Sequence, residues 1–133
     1  PVSSILVPRA EIATVDLRDG IDAVIRRILI SGYSRLPVHR GSIDSIEGMV
    51  YSKDLLAALR SGPLIALEDL IRPLPRVSVD ASVARLLRDF REGHHHMALV
   101  VDRAGKVLGL VTLQDTLEAI VGDIAQEPRL GHS

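Results

Sequence analysis

Thr112-Leu113-Gln114-Asp115 sets a hydroxyl and a carboxylate three residues apart, where an apolar strand pattern gives way to a helical one. At a strand-to-helix corner two such side chains can converge on one ligand. An ionised carboxylate accepts paired hydrogen bonds from a vicinal diol such as a ribose, and the free amides of a helix N-terminus attract phosphate. The same residue types also make a plain helix cap, and the corner by itself leaves both readings open. A second candidate is Gly32-Tyr33-Ser34-Arg35-Leu36-Pro37-Val38. Arg35 offers a planar fork suited to phosphate, with hydroxyls beside it on Tyr33 and Ser34. The competing reading is an exposed loop whose arginine forms a surface ion pair. His94-His95-His96 suggests a metal. Three consecutive histidines cannot all face one point, however, and sites on regular elements use wider spacings with a further ligand elsewhere. The chain has no cysteine and no HExxH pattern, so we assign no metal ligands. A histidine triplet could also make binding pH-dependent, because imidazole is the side chain that changes charge nearest neutral pH.

Catalysis has no candidate. The sequence shows no nucleophile beside a base, no GxSxG, no P-loop and no paired acids in a common motif. Asp22, Arg26 and Arg27 read as a solvated helix face.

The elements that position these groups occur twice. Gly48 returns as Gly109 and Asp54 as Asp115, both 61 residues on, and Gly32 returns as Gly93 at the same interval. Ile21, Val24, Ile25 and Ile28 match Val83, Leu86, Leu87 and Phe90, 62 residues on. The expectation is that one residue is lost between helix and glycine in the second copy, which puts His96 where Arg35 stands in the first. A unit of this length buries its apolar face poorly alone, and two copies can share a core. A crevice between two such halves is the natural place for a ligand. Tyr51-Ser52-Lys53-Asp54 keeps the carboxylate of the second copy's corner but has tyrosine for threonine, so the two corners are not equivalent.

Each copy reads as β-α-β-β-α. In the first, Ile12–Leu17 is a short strand, and Asp16 or Asp19 caps a helix over Ile21–Ile30 that Gly32 ends. Leu36–His39 and Ile46–Tyr51 are strands around a turn at Gly41–Asp44, and Asp54–Leu59 is a helix. In the second, Leu67–Ile71 is a short helix and Arg76–Val79 a strand. Asp80 or Ser82 caps a helix over Val83–Arg91 that Gly93 stops. Met97–Asp102 and Val107–Thr112 form a hairpin, and Gln114–Val121 is the closing helix. The expected fold is α+β: two pseudo-symmetric repeats packed through their sheets. Residues 1–62 hold a leading segment and the first repeat, 63–127 the second, and 128–133 a disordered tail.

Composition narrows the classes. The 133 residues suffice for one compact domain or two packed half-domains. With one Phe, two Tyr and no Trp, the core must be Ile, Val and Leu, and the composition argues against a stacking platform for single-stranded nucleic acid. A net charge of −1 supplies no field toward nucleic acid or anionic membrane. The apolar runs are shorter than the roughly 20 residues a bilayer requires.

Taken together, the two copies resemble a tandem CBS-domain pair, a Bateman module, over about Val7 to Gly122. Finer features are similar to the CorC-type branch (magnesium and cobalt efflux, hemolysin-C-like) and its CNNM relatives. They are Val7-Pro8-Arg9, Gly32 to Val38, Tyr51 to Leu55, His96 to Asp102, and Gly109 to Asp115 running into Glu118-Ala-Ile-Val-Gly122. The resemblance implies a regulatory, non-enzymatic module that binds adenine nucleotide, ATP or AMP, with or without Mg2+. It implies ribose on Asp115, ribose or phosphate on Thr112, phosphates near Tyr33, Ser34 and Arg35, and base contacts from Pro37 and Val7. The family often has Met-Thr-Pro where this chain has Leu6-Val7-Pro8, so one polar contact is missing here. The resemblance further implies a flat homodimer, with exposed apolar positions such as Leu56, Leu59, Leu117 and Ile120 at its interface. The parent would be an inner-membrane protein, with this part cytoplasmic, a membrane domain before Pro1 and a transporter-associated domain after Gly122. The alternative is a purely structural dimerisation module with a vestigial site.

Overall fold

A computed structural model describes residues 2–62 and 66–126, and the expected tail at 128–133 lies outside them. The chain divides into two compact units: Glu11–Leu74 is one, and the residues up to Ala10 together with those from Pro75 onward form the other.

Unit Glu11–Leu74 contains strands β2 (Val15–Asp16), β3 (Arg35–Arg40) and β4 (Ser42–Tyr51) and helices α1 (Ile21–Ser31) and α2 (Ser52–Ser61). β2 runs parallel to β3, and β3 is antiparallel to β4. Val24 and Ile28 drop from α1 onto Val15, Leu36, Val38 and Val50, with Leu55 of α2 and Leu67 closing the cluster. The expected apolar stripe of α1 is thus narrower than the sequence suggests, since Ile21 and Leu29 are exposed. Gly32 ends α1 in the left-handed region at φ 76, as the sequence predicts. The strand β4 begins at Ser42, so the turn expected over Gly41–Asp44 is confined to Gly41.

The other unit holds β1 (Val7–Pro8), β5 (Arg76–Ser78), β6 (Met97–Val101) and β7 (Val107–Thr112), in the sheet order β1-β7-β6-β5. Its helices are α3 (Val83–Gly93) and α4 (Leu113–Gln126). Leu86 and Phe90 of α3 pack with Val2, Ala98, Val100 and Val111. The leading segment therefore belongs with the second repeat: Val7 pairs with Leu110 and Pro8 with Gly109, antiparallel. Periodicity assigns it to the first repeat by adjacency alone, whereas hydrogen bonding joins it to a strand about a hundred residues on. Of the two residues expected to cap α3, Ser82 does so, its Oγ accepting from Arg85 N at 3.1 Å.

Register relocates the lost residue. Arg35 faces Tyr51 and Val38 faces Gly48; Met97 faces Thr112 and Val100 faces Gly109. From α1 through β3 the repeat interval is 62, and it drops to 61 only across the hairpin. The deletion lies in that hairpin, not between helix and glycine. Met97 therefore takes the place of Arg35, and His96 that of Ser34: Ser34 O accepts from Ser52 N at 3.0 Å, and His96 O accepts from Leu113 N at 2.8 Å. The same shift corrects the stop of α3. Gly93 is its last helical residue, and His94 takes the left-handed position at φ 54.

Asp16 does not cap α1, whose N-terminus follows Gly20 and has no side-chain cap. Its Oδ1 instead accepts from Arg18 N and from Gly41 N, both at 3.0 Å, tying the 3-10 turn Leu17–Asp19 to the β3–β4 hairpin. The Gly41 amide, then the Arg18 amide, then the charges of Arg18 and His39 hold this carboxyl below the usual aspartate value. A depressed folded pKa stabilises the protein above the unfolded value of about 3.9, and that contribution is lost as pH falls through the lower folded value. Denaturant midpoints measured from neutral pH into the acid range should therefore fall less steeply for Asp16→Asn than for the parent. Identical acid slopes would remove Asp16 from this role.

Candidate functional site

Thr112 closes β7 and Asp115 lies in the first turn of α4. Asp115 N donates to Thr112 Oγ1 at 3.1 Å, so the hydroxyl caps the helix. Thr116 Oγ1 donates to Thr112 O at 2.8 Å, and Leu113 N is held by His96 O. The amides of Leu113 and Asp115 are therefore committed, which weakens the expectation that phosphate sits on this helix end. The Asp115 carboxylate is different. It is half-buried, and no hydrogen bond or ion pair engages it among the described residues. Cap and ligand corner are compatible here, because the cap uses the threonine oxygen as acceptor and leaves its proton and the carboxylate available.

Val7 joins this corner. It faces Leu110 across the β1–β7 ladder. Thr112 lies two residues beyond Leu110 and so on the same sheet face, a diagonal neighbour of Val7. Val7, Thr112 and Asp115 are thus gathered at one end of one sheet. Tyr33, Ser34, Arg35 and Pro37 belong to the other unit, at the start of β3. Tyr33 and Ser34 are exposed, and Pro37 is buried opposite Met49. Arg35 is half-buried with its guanidinium carbon 5.2 Å from the Tyr51 ring centroid, and its Nε is buried without a hydrogen-bond partner among the described residues.

The first repeat's corner is occupied by the protein itself. Arg72, which the sequence patterns do not single out, donates from Nε to Asp54 Oδ2 at 2.8 Å and from Nη2 to Oδ1 at 3.1 Å. Its guanidinium carbon lies 4.5 Å from the Tyr51 ring centroid. The signal available in the sequence is Ile71-Arg72-Pro73, which parallels Leu6-Val7-Pro8 by a Pro in register and an apolar residue before it.

The histidine triplet works through its backbone. The amides of His94 and His95 both donate to Phe90 O, ending α3. Among the described residues no three His, Asp or Glu side chains are grouped to hold a metal, and no helix is long and apolar enough to cross a membrane.

The family described as CBS domain matches residues 2–61 and 67–122. Magnesium and cobalt efflux protein CorC of Pasteurella multocida is 42% identical over 127 residues, which are 95% of this chain and 42% of that protein. The chain thus spans less than half the length of the curated relatives it matches. A CBS-domain pair with bound AMP from Klebsiella pneumoniae superposes with a TM-score of 0.85 at 28% identity, over 91% of this chain and 98% of that one. The CBS domain of a bacterial CNNM/CorC family Mg2+ transporter, in complex with ATP, gives a TM-score of 0.76 at 35% identity, over 92% and 87% respectively.

The capping bond has a measurable weight. Thr112→Ala should lower stability by about 1 kcal/mol in denaturant unfolding, and Thr112→Ser should restore most of it. Equal midpoints for the parent and the alanine variant would show that the hydroxyl does not cap α4.

Proposed function

We propose that this chain, which belongs to the CBS domain family as a tandem pair of the CorC type, binds an adenine nucleotide and acts as the regulatory, non-catalytic part of a membrane magnesium and cobalt transporter. The observation that carries the reading is the Asp115 carboxylate: half-buried, next to the Thr112 hydroxyl, and left without a protein partner among the described residues. A half-buried carboxylate has given up part of its water, and a diol supplies two donors to it. Relatives with bound AMP and with ATP support adenine nucleotide as that diol.

On this reading Asp115 and Thr112 hold the ribose. Tyr33, Ser34 and Arg35 meet the phosphates, with Mg2+ accompanying a triphosphate, while Val7 and Pro37 contact the base. The orphaned Nε of Arg35 suits it to an anion. Ligand couples to the membrane part of the parent by binding one conformation of the module more tightly than another.

A second reading, a dimerisation scaffold, draws on exposed apolar residues: Leu56 and Leu59 on α2, and Leu117, Val121 and Ile124 on α4. Ile120, expected among them, is half-buried. Dimerisation is common to both readings, and a homodimer through these helix faces is part of the proposal; they part on whether the Asp115 corner binds nucleotide or is vestigial.

Calorimetric titration with AMP and with ATP, with and without Mg2+, tests it. Asp115→Ala removes two charge-assisted hydrogen bonds and should weaken binding at least about tenfold to a hundredfold. Its sedimentation behaviour should match the parent's. Unchanged affinity would overturn the ribose role, and a parent chain that takes up no nucleotide at millimolar ligand would leave the scaffold.

A further inference from the structure

Each repeat brings a short outer segment antiparallel against its glycine-bearing strand. In one unit Val7 pairs with Leu110. In the other Arg72 pairs with Met49, 61 residues before Leu110: Met49 N donates to Arg72 O at 2.9 Å, and Arg72 N to Met49 O at 2.8 Å. The equivalence extends to neighbouring atoms. A Cβ on Gly109 would meet Val7 O at 2.4 Å and Leu6 Cδ1 at 2.7 Å; a Cβ on Gly48 would meet Arg72 O at 2.4 Å and Ile71 Cγ2 at 2.6 Å. Leu6-Val7-Pro8 and Ile71-Arg72-Pro73 therefore hold the same place, and Arg72 stands where Val7 stands.

The consequence is chemical. Beside Val7 the carboxylate of Asp115 is left without a protein partner among the described residues. Beside Arg72 the carboxylate of Asp54 has both oxygens taken by one guanidinium, which also stacks on Tyr51, the counterpart of Thr112. We propose that Arg72 is an internal plug. It fills the Asp54 corner with a tethered guanidinium and excludes a ribose diol from it, so that the chain takes nucleotide through the Asp115 corner alone. This rests on the nucleotide reading of Asp115.

The magnitudes set how far the plug competes. The side chains of Arg72 and Asp54 are 52% and 24% exposed, and a pair so open to water adds on the order of 1 kcal/mol or less to stability. A tethered competitor of that strength weakens a diol at Asp54 by about fivefold, and the guanidinium's contact with Tyr51 adds to what the diol must displace. A free diol must displace it from both oxygens at once. The side chain can be changed without touching the backbone bonds of Arg72 to Met49, so variants should keep the fold.

The test counts sites. The 133-residue chain is titrated with adenosine, AMP and ATP as the parent, as Arg72→Val, as Arg72→Met (which keeps an unbranched stem against Tyr51), and as Arg72→Val combined with Asp54→Ala. Circular dichroism and melting verify that each is folded. We expect stoichiometry to rise from one equivalent per chain to two in both single variants for at least one of these ligands, and to return to one in the double variant. A folded Arg72→Val and Arg72→Met that bind the parent's number of all three ligands would overturn the plug while leaving the Asp115 reading intact. A parent that binds none, beside an Arg72→Val that binds one equivalent through Asp54, would uphold the plug and sink the Asp115 reading. No binding by any variant would sink both.

Discussion

A backbone carbonyl pressed onto a glycine is the constraint from which each corner is built. At Gly48 and Gly109 the neighbouring carbonyl oxygen would lie 2.4 Å from any added Cβ, a distance no side chain can occupy. Only glycine lets the outer segment come this close. The close approach brings residue 7 or residue 72 alongside the last residues of the strand, and the helix that follows carries an aspartate in its first turn. The type of side chain at the approaching position then decides the electrostatics of the corner. An aliphatic residue leaves the aspartate to find a partner elsewhere, and an arginine satisfies it on the spot.

Much of this was legible in the sequence, because it depends on local patterns. The two copies, the α+β order, the helix α1 with its glycine stop, and the strand-to-helix corner at Thr112 all follow from periodicity and capping chemistry. Three features were not, for distinct reasons. Pairing of Val7 with Leu110 is a long-range hydrogen-bond choice that neither period nor propensity encodes. Periodicity misplaces the deletion because Gly32 and Gly93 coincide at the interval of 61. The helix counts from its own apolar positions, and so delivers the left-handed residue at His94 rather than at the glycine. That left-handed position at a non-glycine costs some backbone strain, and two amides bonding to Phe90 O offset it. Arg72 has no signature of its own because it sits in a Pro-rich stretch where periodicity carries no signal.

The candidate site residues divide in the same way. Val7, Thr112 and Asp115 converge because one ladder and one helix start place them within a single unit. Tyr33, Ser34, Arg35 and Pro37 are adjacent in sequence, yet the strand separates their environments. Pro37 is buried, Arg35 lies half-covered along Tyr51, and Tyr33 and Ser34 are exposed ahead of the strand. Adjacency in sequence therefore does not give these four one chemistry. What distinguishes Arg35 is a buried Nε without a hydrogen-bond partner among the described residues, on a guanidinium held against an aromatic ring.

The asymmetry between the corners bears on how such a module could respond to ligand. A two-site device with equal corners would be biased twice by the same molecule, and its response would depend on the order of filling. On the proposal that Arg72 plugs the Asp54 corner, a diol meets an open carboxylate at one corner only. Any difference in affinity between conformations would then be generated at Asp115, Thr112 and the groups that meet the rest of the ligand. Arg72 meanwhile ties its outer segment to α2 through its paired bonds to Asp54. Division of labour between two copies of one motif here comes down to whether valine or arginine follows the same bend past a glycine.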